Sequence, residues 1–105
     1  MKEVSDLNFS ELVLNNSKLS VADFWAPWCG PCQALTPILT ALENDYSDLV
    51  SFFKMDVDQN PDTPLEYAIR SVPTILIFKE SNVVECIIGV QSKQKLKSII
   101  DKYLN

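Results

Sequence analysis

Apolar positions along the chain change their spacing several times, and each change marks an element. Leu19-Ser20-Val21-Ala22-Asp23-Phe24-Trp25 is nearly continuously apolar, as a strand covered on both faces is. Beyond it the spacing turns helical: Leu35, Ile38, Leu39, Leu42 and Tyr46 share one face of a helix running to about Tyr46. Pro37 lies inside that pattern and predicts a kink near residues 34–36 rather than two helices. Residues 45–48 turn the chain, and Val50 to Val57, rich in Phe, Val and Met, reads as another strand. Upstream, Val4 to Asp6 is a short strand. Asn8 there is placed to cap a helix carrying Phe9, Leu12 and Val13, and residues 15–18 are a polar break.

The second half has a different pattern. Asn60-Pro61 offers a cap and a first-turn proline for a short helix ending near Ala68, with Pro64 still in the first turn. Thr74 to Phe78 and Val83 to Ile88 are strands joined by Glu80-Ser81-Asn82, a hairpin. Ser92 can cap a last helix whose stripe is Leu96, Ile99, Ile100, Tyr103 and Leu104, with Lys93, Lys95 and Lys97 on or beside its wet face. A βαβ half, a hairpin and a closing helix imply one mixed α/β sheet with helices on both faces. No repeat or linker divides residues 1–105, so the expectation is one domain.

Composition narrows the function. A chain of 105 residues, 47% of them apolar, supports one hydrophobic core. A formal charge of −5 argues against nucleic acid or an anionic membrane as partner. No run of 18 apolar residues is present. Met1 to Asp6 carries charge without an apolar segment behind it, unlike a signal peptide, and a reducing cytoplasm is the expected compartment.

The chemistry lies in Trp25-Ala26-Pro27-Trp28-Cys29-Gly30-Pro31-Cys32, where the strand ends and the helix begins. Residues at i and i+3 of a helical turn have Cβ atoms about 5–6 Å apart, so the two thiols can bridge after a small adjustment. Three cysteines, an odd number, fit a structural disulfide framework poorly. A zinc or iron–sulfur site needs about four ligands, and the chain has three cysteines and no histidine. A permanent bridge over so short a loop contributes about 2 kcal/mol. The residues favour a pair that opens and closes.

Val21 to Cys32 resembles the active-site segment of the thioredoxin family, and Trp28-Cys29-Gly30-Pro31-Cys32 is a specific motif. Lys54 to Asn60, Ile69 to Thr74 and Gly89 fall in that family's order and spacing, so the resemblance covers essentially the whole chain. It implies the thioredoxin fold, a central mixed five-stranded sheet flanked by four helices. It also implies a cytoplasmic, monomeric protein disulfide reductase and electron carrier. Such a protein would need no cofactor beyond the Cys29–Cys32 disulfide. Its partners would be client proteins with disulfides and an NADPH-dependent thioredoxin reductase.

On this reading Cys29, at the helix mouth, is the nucleophilic thiolate favoured by free N–H groups and the dipole. Cys32, one turn inside, is expected to be more buried and to resolve the mixed disulfide. Gly30 and Pro31 form the turn; by analogy this dipeptide marks reducing members of the family. Asp23 interrupts an apolar strand, so the alternatives are a strand-end surface carboxylate or a buried one with raised pKa that takes the proton from Cys32. Lys54 resembles the family's lysine that approaches this aspartate, against the plainer reading of an edge lysine.

The resemblance further implies a cis bond before Pro73 and an apolar recognition groove of Trp28, Val72, Pro73, Gly89 and Val90 that pairs with an extended client segment. The only two glycines, Gly30 and Gly89, suggest places where a side chain would obstruct backbone approach. Trp25 reads as core packing. Ser71 and Ser81 stand where the family commonly has glycine, and Gln33 replaces a frequent basic residue; these bear on docking and turn geometry. Cys86, at period two with Val84 and Ile88, is expected to be a buried inert thiol, the alternative being a regulatory or dimer-forming one. Two other functions remain open: a binding module serving one partner, and a disulfide oxidant or isomerase.

Overall fold

The nearly all-apolar segment becomes β2 (Leu19–Trp25), the central strand of a five-stranded sheet, and every residue from Leu19 to Phe24 is buried. A computed structural model describes residues 1–104. The remaining strands are β1 (Lys2–Glu3), β3 (Val50–Asp56), β4 (Thr74–Lys79) and β5 (Asn82–Ile88), in the spatial order β1-β3-β2-β4-β5. β1 and β2 both run parallel to β3, whereas β4 is antiparallel to β2 and to β5. The helices are a short one at Ser10–Leu14, then α1 (Gly30–Tyr46), α2 (Asp62–Glu66) and α3 (Lys93–Asp101). This is the mixed α/β architecture the pattern and the resemblance both implied.

Alternation along β2 and β3 divides the core. Leu19, Val21, Val50 and Phe52 pack with Leu35, Leu39 and Leu42 of α1 and Leu96 and Ile100 of α3. Ala22, Phe24, Phe53 and Met55 pack on the other side with Phe9, Val13, Leu76 and Phe78. By the same alternation Asp23, Trp25 and Lys54 belong to the α1 side, at the end of the sheet where α1 begins. α1 continues unbroken through Pro37. α1 and α3 are tied where the Tyr46 hydroxyl donates to Asp101 Oδ1 at 2.6 Å. Ser92 caps α3 as expected, its Oγ accepting from the Lys95 N–H at 3.1 Å.

Several local expectations are corrected. The first strand is Lys2–Glu3 rather than Val4–Asp6, because Asp6 is used elsewhere. Asn8 does not cap the first helix; its Oδ1 accepts from the Ser5 N–H, and the helix starts at Ser10 with a wide turn closed by Asn15 N–H on Ser10 O. Asn60 does not cap α2 either. Asp6 does so from a distance, Oδ1 accepting from the Thr63 N–H (2.8 Å) and hydroxyl (2.7 Å) and Oδ2 from the Asp62 N–H (3.1 Å). Asn60 Oδ1 accepts from the Asp6 N–H in return. α2 ends at Glu66, and Ala68 follows in the left-handed region at φ 55°. The hairpin turn has only two residues, Glu80 and Ser81, both with positive φ.

Cys86 is exposed, contrary to the buried thiol expected. An irregularity opposite Ile77 and Phe78 leaves Val84 as the extra residue of β5, so it does not share a face with Cys86 and Ile88. Ile87 points inward and is buried; Ile88 is 64% exposed.

Candidate active site

Three chain segments meet where α1 begins. β2 delivers Trp25 to a tight turn closed by the Cys29 N–H on Ala26 O at 3.1 Å. Cys29, in extended geometry at φ −91° and ψ 106°, is the N-cap of α1, and its Sγ accepts from the Cys32 N–H at 3.1 Å. An N-cap side chain normally offers an oxygen to the free N–H groups of the first turn; here a sulfur occupies that position. Gly30 and Pro31 are the first helical residues, where the missing proline N–H leaves no bond unmade. Cys29 and Cys32 are joined by a disulfide with Cα atoms 5.3 Å apart.

Both sulfurs are nearly covered, Cys29 at 3% and Cys32 at 2% exposure, so burial does not rank them as expected. Their surroundings do. Cys32 lines a cavity of about 110 Å³ together with Asp23, Trp25, Pro27, Thr36 and Lys54, and Cys29 does not border it. Ala26 and both cysteines pack together against the half-buried Trp25, Val57 and Val72.

Asp23 is 2% exposed and its Oδ1 has no hydrogen-bond partner among the described residues. The surface-carboxylate alternative is thereby excluded. Burial raises its pKa to about 7, with the Lys54 charge pulling in the opposite direction. Lys54 is its register partner across β2 and β3, and Lys54 Nζ lies 5.7 Å from the centroid of the Trp25 ring. Trp25 is half-buried, consistent with packing, yet its Nε1 is buried without a partner.

On the other side of the dithiol, the Val72–Pro73 bond is cis. A cleft of about 150 Å³ is lined by Trp28, Val72, Val57, Pro64, Ile69 and Arg70, with Ser71 at its edge. Trp28 is 71% exposed. Pro73, Gly89 and Val90 lie outside this lining, although the Gly89 N–H donates to Pro73 O at 2.9 Å and Val90 is exposed. Sequence reasoning missed Val57, Pro64, Ile69 and Arg70 as walls, because none of these side chains carries a reactive group that singles it out.

A Cβ added at Gly30 or Gly89 would meet no atom within 4 Å, so steric obstruction inside the chain explains neither glycine. Gly89 has a different reason, a φ of +85°.

Comparison with known proteins agrees with this geometry. The family model for thioredoxin matches residues 1–102. The chain is 39% identical to a thioredoxin of Porphyra purpurea over 105 residues, covering all of this chain and 98% of that one. It is 43% identical to a thioredoxin of Buchnera aphidicola over 103 residues, covering 98% and 95%. It is also 41% identical to a thioredoxin of Synechocystis over 102 residues, covering 97% and 95%. Likeness over the full length, together with a dithiol at the start of α1 beyond the end of the central strand, makes the assignment direct. The chain belongs to the thioredoxin family, a protein disulfide oxidoreductase that works by dithiol–disulfide exchange through Cys29 and Cys32 with no further cofactor.

Proposed function

We propose that Cys29 attacks the client disulfide and that Cys32 resolves the resulting mixed disulfide, with Asp23 as the acceptor of the Cys32 proton. The position of Cys29 as N-cap, its sulfur taking the Cys32 N–H, carries this reading. Free N–H groups and the positive helix end stabilise a thiolate there. The reduced protein's Cys29 thiolate displaces one client sulfur and forms a mixed disulfide. Cys32, giving up its proton, then attacks Cys29 Sγ and releases the second client sulfur. The client disulfide gains two electrons and the Cys29–Cys32 pair loses them.

Asp23 suits the proton step because its pKa near 7 lets it both gain and lose a proton at neutral pH. The shared cavity gives the path between Cys32 and Asp23. Lys54 modulates that carboxyl by charge. Gly30 and Pro31 hold the turn. Trp28, Val72, Pro73, Gly89 and Val90 form the client-binding surface, and Val57, Pro64, Ile69 and Arg70 extend it. Recycling by an NADPH-dependent thioredoxin reductase, one domain acting as a monomer, and a cytoplasmic location complete the proposal. No helix among the described residues is long and apolar enough to cross a membrane.

A binding module without chemistry, which the sequence left open, is disfavoured by the site as well as by the family. The buried Asp23, kept at the cost of an unpartnered oxygen beside Cys32, speaks for chemistry, since docking alone needs no proton acceptor. Insulin reduction under a coupled reductase separates the two. Cys29→Ser should abolish turnover, and Asp23→Asn should lower kcat with little change in KM. Equal kcat in Asp23→Asn and the parent at pH 7 would remove Asp23 from the mechanism.

A further inference from the structure

Trp25 has a feature that packing alone does not explain. Its Nε1 is buried with no hydrogen-bond partner among the described residues, and an unpaired buried donor is unfavourable. Phenylalanine would fill much the same space without that donor. What tryptophan supplies more strongly is a negative ring face for a cation, and Lys54 Nζ lies 5.7 Å from the ring centroid.

The sheet places three groups side by side. Asp23 and Lys54 are register partners on β2 and β3, and Trp25 follows Asp23 by two residues, on the same face. With Glu3 its register partner on β1, the Lys54 ammonium therefore has two attractors on the site side, the ring and the Asp23 carboxylate. It forms a cation–π contact, and it makes no hydrogen bond to Asp23 Oδ1. The cavity bordered by all three leaves room for the ammonium to move.

We propose that Trp25 is a positioning residue whose ring face holds the Lys54 ammonium off Asp23 and so governs how tightly Asp23 holds a proton. The charged or titratable groups facing Asp23 are few. Lys54 comes from β3 and, once reduced, Cys32 from α1; β4 presents Ile75, which has no charge. Without the ring, Lys54 closes on Asp23 and favours the carboxylate. Its influence on turnover rests on the reading of Asp23 as proton acceptor; its influence on Asp23 titration does not.

The test is a mutant cycle on the oxidised full chain, following the Asp23 carboxyl carbon by NMR from pH 4 to 10. Trp25→Leu should lower the Asp23 midpoint by about one unit or more, a roughly tenfold weaker hold on the proton. In a Lys54→Met background the same change should leave the midpoint almost where it was. A fall of equal size in both backgrounds means that the ring acts only by burying Asp23, and overturns the proposal, as does no fall in either. Trp25→Phe, with a weaker ring face, should give a smaller Lys54-dependent fall, and it serves if the leucine variant does not fold. Unchanged turnover of Asp23→Asn would cancel the catalytic role of Asp23 and leave the outcome of this cycle standing.

Discussion

Asp23, the proposed proton acceptor, also bears on the stability of the fold. Burial holds its pKa at about 7, well above the usual carboxylate value of about 4, despite the nearby Lys54. A carboxyl that binds its proton more tightly when folded stabilises the protein at low pH, and that contribution is lost as pH rises from about 4 through 7. The span corresponds to a loss on the order of 4 kcal/mol by pH 8. Asp23→Asn should therefore raise the urea midpoint of the oxidised protein much more at pH 8 than at pH 4. An equal gain at both values would contradict the raised pKa. This residue was legible in the sequence because a carboxylate inside an apolar strand has to be explained. Cys86 was not, because a single irregularity in β5 shifts the alternation from which its burial was inferred.

At the scale of elements, strands and long helices followed from periodicity, and their ends did not. Asn8 and Asn60 have the composition of caps, but α2 is capped by Asp6, 57 residues before Thr63 in the chain. A cap supplied by a distant segment leaves no local signal. Asp6→Ala should cost about 1–2 kcal/mol in thermal or urea unfolding. It should also loosen the Pro64 and Ile69 wall of the cleft, raising KM for protein clients more than for a small disulfide. If both substrates respond alike, α2 does not shape the groove. The end of α2 offers a stabilising change: exposed Ala68 sits at φ 55°, a conformation about 1–2 kcal/mol unfavourable for a residue with a Cβ. Ala68→Gly should raise the melting temperature by a few degrees; a fall would mean that the left-handed turn does not limit this segment.

At the scale of the molecule, the sheet order puts the central strand, the start of α1 and the cis-proline segment at one end of the fold. Cys32 borders the cavity of Asp23 and Lys54, and Val72, packed against the two cysteines, lines the cleft beside Trp28. Much of this was readable from Trp28-Cys29-Gly30-Pro31-Cys32 and the alternation around it. The cleft walls were not, because they are assembled by tertiary contact from residues with no chemical signature of their own. The proposed division of labour between the sulfurs draws on Cys32, and not Cys29, bordering that cavity, and one measurement addresses it most directly. The reduced Cys32→Ser variant is mixed with a disulfide client, and the stable adduct is mapped by mass spectrometry after proteolysis. The account predicts a mixed disulfide at Cys29. Attachment mainly at Cys86, or a Cys29→Ser variant that captures the client through Cys32 at the parent's rate, would contradict it.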